Sequence, residues 1–257
     1  MRHLIVISLV LLLVACVSSE TVVTENNRII KRGNQFNPES AAKIRVKLGL
    51  AYLQKNNMLK AKKNLEKALS YQPNDANIFR ALAYYYQRVQ EVDKALRFYI
   101  KSLAIDPNNP STLSVYGVFL CEQGHYNKAE DSFLLAIKQP GYTGVSNTYE
   151  NAGHCSERSG NINKAIGYYQ NALYHNPNNI HLYLTLARLQ IGNNEYEIAR
   201  ANLAKLSNEN SAEILWQWIR LYNATNKGAA LDKYGRKLLT QFPDSNEALN
   251  YVNHDYE

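Results

Sequence analysis

Three cysteines and six histidines are the side chains of this 257-residue chain best suited to nucleophilic, metal-binding or acid–base chemistry. Their spacing supports none of the usual catalytic arrangements. No G-x-S-x-G, phosphate-cradling G-x-x-x-x-G-K-[ST], H-E-x-x-H or C-x-x-C occurs, and His3, His125, His154, His175, His181 and His254 are scattered. His154-Cys155 pairs a base with a nucleophile in adjacent positions, but neighbours on a helix point about 100° apart and cannot touch. The expectation is therefore no enzyme, no metal, no cofactor and no small-molecule substrate. What remains is the chemistry of three thiols: Cys16 near the start, and Cys121 and Cys155 far downstream.

Cys16 follows a positively charged start, Met1-Arg2-His3, and an apolar run from Leu4 to Val14. That run is about half the ~20 residues a spanning helix needs, so it reads as an export signal. Leu13-Val14-Ala15-Cys16 resembles the bacterial lipoprotein box, which implies removal of residues 1–15 and acylation of Cys16. The plainer alternative is an ordinary secretory signal followed by an incidental cysteine. Several acyl chains, at about 0.8 kcal/mol per buried CH₂, make a stable anchor. Val17-Ser18 lack the aspartate that retains many such lipoproteins in the inner membrane, so the resemblance favours an outer-membrane anchor facing the periplasm. From residue 17 to 40 the chain is polar and Asn-rich without a sustained period; together with Cys16, residues 16–40 read as a lipidated tether with a span of roughly 27 Å.

The elements that follow must come from the rest of the chain. With 46% apolar residues but only 12 Gly and 7 Pro, it can bury a core, and a helical one. Its 29 Lys+Arg against 22 Asp+Glu give +7, with the positive residues spread among acids; they read as solvated helix faces, and no nucleic-acid partner is expected. Ala61, Ala95 and Ala129 recur every 34 residues, and Ala165 and Ala199 continue the series after a two-residue insertion.

Around each alanine the pattern resembles the tetratricopeptide repeat, a helix-turn-helix unit with a small residue where its helices cross. Units span 42–75 (Leu48-Gly49, Tyr52, Ala61, Pro73), 76–109 (Leu82-Ala83, Tyr86, Ala95, Pro107), 110–143 (Tyr116-Gly117, Ala129, Pro140), 146–179 (Ala152-Gly153, Ala165, Pro177) and 180–213 (Leu186-Ala187, Ala199). A sixth, 212–245, is degenerate, with Leu231 in place of the crossing alanine, and a short C-terminal cap follows. One such pair cannot bury its apolar face, whereas a stack shares a continuous core. The expected fold is thus all-α, a right-handed tetratricopeptide superhelix over residues 41–257.

In such a stack Cys121 and Cys155 fall on the first helices of consecutive units, about 8 to 10 Å between axes. A disulfide is reachable there, stabilising by roughly 3 to 4 kcal/mol; two buried free thiols are the alternative. First helices also line the concave groove, which places Val46, Leu50 and Leu53 of unit one and Arg80 and Tyr84 of unit two on a partner-binding surface. Packing of the tether over this apolar entrance is the competing reading. Glu150, His154, Glu157, His181, Leu184 and Arg188 lie further along it, either as polar contacts or as solvated positions. Leu50 occupies a place where the carboxylate-clamp subfamily has asparagine, so a chain-terminal carboxylate is not the expected ligand.

The stretches Tyr116-Gly117-Val118-Phe119-Leu120-Cys121-Glu122-Gln123-Gly124 and Tyr149-Glu150-Asn151-Ala152-Gly153-His154-Cys155 are similar to those of type IV pilus biogenesis lipoproteins. That resemblance covers nearly the whole chain. It implies an outer-membrane pilotin that binds secretin subunits through its early repeats and promotes their localisation and multimerisation. A periplasmic adaptor for a protease or cell-wall hydrolase shares the same anchor and fold.

Overall fold

The computed structural model describes residues 23–25, 28–30 and 36–256; the expected signal peptide and Cys16 lie outside the described residues. Within the stretch expected to be a leash, β1 (Val23–Glu25) and β2 (Arg28–Ile30) pair antiparallel, with Val23 opposite Ile30 and Thr24 opposite Ile29. The reason is compositional, since β-branched residues on both sides of Asn26-Asn27 favour a ladder over featureless coil.

From residue 38 the described chain is helical. The helices pair as α1 (Pro38–Gln54) with α2 (Met58–Tyr71), α3 (Ala76–Arg88) with α4 (Val92–Ile105), α5 (Pro110–Glu122) with α6 (Tyr126–Ile137), α7 (Val145–Arg158) with α8 (Ile162–His175). α9 (Ile180–Gly192) with α10 (Tyr196–Ala204) and α11 (Ala212–Ala224) with α12 (Gly228–Gln241) complete six pairs, and α13 (Asn246–Val252) packs on α11 and α12. Start signals are local: the side chains of Asn37, Asn57, Asp75, Asn109, Asn161 and Ser211 each accept the amide three residues on. Within every pair the first helix stops at a left-handed residue, at Asn56, Gln90, Gly124, Gly160, Asn194 or Asn226, with φ between 53° and 79°. The next amide then returns to a carbonyl five residues back, as Asn57 N does to Tyr52 O at 2.8 Å, closing the orphan end of the helix.

Close crossing explains the 34-residue alanine series: Ala61, Ala95, Ala129, Ala165 and Ala199 have no solvent exposure at all. A second rule operates sixteen residues apart. A small residue on the first helix admits a large one from the second: Gly49 with Leu65, Ala83 with Tyr99, Gly117 with Phe133, Gly153 with Tyr169, Ala187 with Leu203. At Gly117 an added Cβ would lie 2.6 Å from the Phe133 ring, inside any tolerable contact. The sixth pair reverses the sizes, with fully buried Ile219 on α11 and Gly235 on α12, where the Tyr251 ring of α13 fills the space a side chain would need. Leu231 is therefore accommodated by a repacked end and not by the general rule. Buried apolar residues form a succession of clusters along the stack, the first running from Ala42 to Cys155, as expected when each pair touches only its neighbours.

Candidate functional site

First helices α1, α3, α5, α7, α9 and α11 follow one another along one side of the stack, and clefts open between successive members. Between α1 and α3 lies a cleft of about 310 Å³. Val46 and Leu50 of α1, with Ala42 and Ile78, form its apolar lining, while Lys43, Lys47 and Arg80 bring cationic groups to it and Glu39 and Asp75 carboxylates. The expected grouping of Val46, Leu50 and Arg80 is thus present in one cleft.

Leu53 requires a correction. It is 0% exposed, and its place near the C-terminal end of α1 carries it past the cleft into the cluster with Leu65 and Leu82, so it holds units together and offers nothing to a partner. Tyr84 belongs to a neighbouring cleft of about 690 Å³ between α3 and α5, lined also by Gln87, Val118, Phe119 and Glu122. The groove is therefore two successive clefts and not one continuous apolar entrance.

Arg80 lines the first cleft and not the second. Its guanidinium reaches Asn109 Oδ1 at 3.4 Å, and burial lowers its pKa from the ordinary value, a tendency opposed by nearby Asp75. At the rim Lys43 Nζ lies 2.6 Å from Glu39 Oε1; this hydrogen bond holds the Glu39 carboxyl below its usual range and pushes the Lys43 ammonium up. Both side chains are solvent-exposed, so the pair orients the rim without stabilising the fold appreciably.

Polar side chains further along are engaged with one another. Tyr99 Oη donates to Gln87 Oε1 at 2.6 Å, and Gln87 Nε2 donates to Glu122 Oε2 at 2.8 Å, linking a core phenol to the cleft wall. Two pairs on, Tyr169 Oη lies 2.7 Å from His154 Nδ1 and 3.2 Å from Glu157 Oε2, and Arg188 donates to Glu157 Oε1 at 2.6 Å. Asn179 Nδ2 donates to Glu150 Oε2 at 2.9 Å. Burial first, and the Glu157 carboxylate second, raise the Tyr169 pKa, so its phenol stays protonated and donates. Glu150, His154, Glu157 and Arg188, placed along the groove by unit position, are thus polar contacts, whereas Tyr169 and Asn179 carried no such signal because they join the network only through the stacking.

Cys121 on α5 and Cys155 on α7 are joined as a disulfide, with Cα atoms 5.7 Å apart. Cys155 is consequently no nucleophile for His154. Among the described residues, no three His, Cys, Asp or Glu side chains gather as a metal-binding group, and no helix is long and apolar enough to cross a membrane.

Charge is not spread evenly, contrary to the expectation from composition. Between Pro38 and Tyr71 stand eight Lys+Arg and two Glu, so the first helical pair carries +6 of the chain's +7.

A stack of such pairs with clefts between its first helices defines a tetratricopeptide-repeat scaffold, and repeat profiles of that family match residues 42–75, 98–131 and 158–218. The type IV pilus assembly protein PilF of Pseudomonas aeruginosa is 33% identical over 204 residues, 79% of this chain and 81% of that protein. The chain belongs to PilF's family of tetratricopeptide-repeat proteins. An uncharacterized protein of Haemophilus influenzae is 35% identical over 128 residues, covering 50% of this chain and 72% of its own. The solved Pseudomonas aeruginosa PilF structure superposes with a TM-score of 0.72 at 31% identity, covering 85% of this chain and 99% of that one. PilW, described as a widely conserved type IV pilus biogenesis factor, shares the fold with a TM-score of 0.71 at 24% identity, over 82% of this chain and 98% of its own.

Proposed function

We propose that this chain is an outer-membrane lipoprotein of type IV pilus biogenesis, acting as a pilotin that captures secretin subunits and promotes their localisation and multimerisation. The observation that carries the reading is the cleft between α1 and α3, with Val46 and Leu50 in its lining and Arg80 at its side, on a repeat scaffold homologous to a pilus assembly protein. Acylation at Cys16 supplies the anchor. A tethered cleft holding an exported subunit raises its concentration at the bilayer and needs no bond chemistry.

The apolar lining supplies the affinity. Half-buried Val46 and Leu50 each release roughly 1.5 to 3 kcal/mol when fully covered from an exposed state, so their remaining surface supports a docked apolar segment of the partner. Leu50→Glu replaces an apolar contact with a charged carboxylate that a docked apolar segment would have to desolvate. Co-purification with the secretin should fall at least about tenfold, a loss of ~1.4 kcal/mol, while helicity stays unchanged. Unchanged secretin recovery would remove the cleft from the interface. Recovery of a cell-wall hydrolase in place of secretin would favour the adaptor reading. Deleting the coding region should abolish surface fibres and secretin multimers together.

A further inference from the structure

A terminal unit of a repeat stack lacks a neighbour on one side, and that side is ordinarily polar. Here it is not. Among the described residues α1 packs only on α2 and α3, and no described element covers the face that a preceding unit would cover. Ile44 and Leu48, one turn apart on that helix, are 58% and 40% exposed. Leu59, one turn before Lys63 on α2, is 81% exposed, and Phe36 meets Tyr71 edge-on at 5.2 Å.

Cations surround these side chains. Arg45, Lys63 and Lys67 line a cleft of about 490 Å³ between the two helices, with Arg45 held by Asn64 Oδ1 at 2.9 Å. Lys60 lies over the Tyr52 ring at 5.5 Å and Lys67 over Tyr71 at 4.9 Å. Glu66, the acid of that cleft, is within 3.8 Å of Lys62, and among the described residues neither Arg45, Lys60, Lys63 nor Lys67 has an ion-pair partner.

We infer that this N-terminal end face, formed by Ile44, Leu48, Arg45, Lys63 and Lys67, docks on an anionic lipid bilayer. Three observations select that occupant. The first pair holds +6 of the net charge, which complements a negatively charged surface. Apolar and tyrosine side chains stand among the lysines, the mixture that inserts at a headgroup boundary and that a phosphate backbone alone would not use. The face also belongs to the first helical pair, the one that follows in sequence the segment proposed to be anchored. The surface is distinct from the cleft of Val46 and Leu50, and the inference goes beyond the pilotin reading without requiring it, because the polypeptide tested carries no acyl group.

The polypeptide from Val17 onward contains every element described above. Its binding is measured by co-sedimentation with phosphatidylcholine vesicles with and without phosphatidylglycerol. It should bind the anionic vesicles only, and more weakly as salt rises. Lys63→Gln with Lys67→Gln should weaken binding about 30-fold, the product of two charges near the surface. Ile44→Asn with Leu48→Asn should weaken it at unchanged charge. Arg236→Gln with Lys237→Gln, on α12 at the opposite end, should leave it unaltered, and far-UV circular dichroism checks that each variant folds. Equal binding to neutral vesicles, no vesicle binding, capture of an acidic protein alone, or an unaffected Lys63/Lys67 variant would each overturn the assignment.

Discussion

Replacing Cys121 and Cys155 together by alanine, in the polypeptide from Val17 onward, removes the covalent link between the third and fourth helical pairs. The cysteines are 34 residues apart, and in the chain-entropy account closing a loop of that length stabilises by about 3.8 kcal/mol. Each cysteine is only 5% exposed, so its truncation also removes packing, and the combined loss is expected at about 4 to 6 kcal/mol. In a stack where pairs contact only neighbours, that loss concentrates in α5 to α8 and is diluted elsewhere. Urea unfolding with and without dithiothreitol, joined to amide exchange, reads both aspects. Reductant should lower the midpoint of the parent close to that of the double variant and leave the variant where it was. Exchange should accelerate most in α5 and α7. Two titratable thiols in the denatured, unreduced parent, or coincident midpoints for unreduced parent and variant, would refute the reasoning.

Gly117→Ala should destabilise by about 1 to 3 kcal/mol through the contact its Cβ makes with Phe133, and Phe133→Leu by a comparable amount; the double variant, which reproduces the Ala187 and Leu203 pairing, should cost less than their sum in a double-mutant cycle. Strict additivity would show that these positions are not packed as described. Glu130 accepts from Lys164 Nζ at 2.8 Å and Tyr168 Oη at 2.6 Å, and these bonds hold its carboxyl below the ordinary 4.5. Because the folded value is the lower one, this stabilisation is complete above pH 4.5 and is lost progressively below it, as pH falls through the lower folded value. Glu130→Gln should therefore cost up to about 1 kcal/mol at neutral pH, discounted for solvent screening, and nothing once the parent carboxyl is protonated; a cost independent of pH in urea titrations would point to packing instead.

The 34-residue alanine spacing was legible because a close helix crossing tolerates only small side chains, a requirement that leaves one conspicuous residue in each unit. The same holds for the Leu-Gly and Leu-Ala pairs, whose small members receive the bulk of Leu65 or Leu203. Leu53 was misjudged because unit position alone specifies which face of a helix a residue occupies, not whether the next pair has already closed over it. Likewise Glu157 finds Tyr169 on α8 and Arg188 on α9, a convergence set by superhelical stacking that no local pattern encodes. The paired strands arise in a segment too short and too polar overall to show a period. The charge imbalance was countable, yet averaging over the whole chain concealed that its first helical pair holds nearly all of it.

The first pair thus presents two surfaces that differ in kind. Val46 and Leu50 lie on the side of α1 that faces α3, whereas Ile44 and Leu48 lie away from it, two residues and hence about 200° around the helix from Val46. A bilayer against the second face leaves the first unobstructed, so docking and partner capture do not compete for the same side chains. Docking would also fix the direction in which the cleft opens, turning a tether that limits only distance into an attachment that limits orientation. Restricting orientation lowers the entropy lost when a membrane-bound partner is engaged, which strengthens capture without adding a contact.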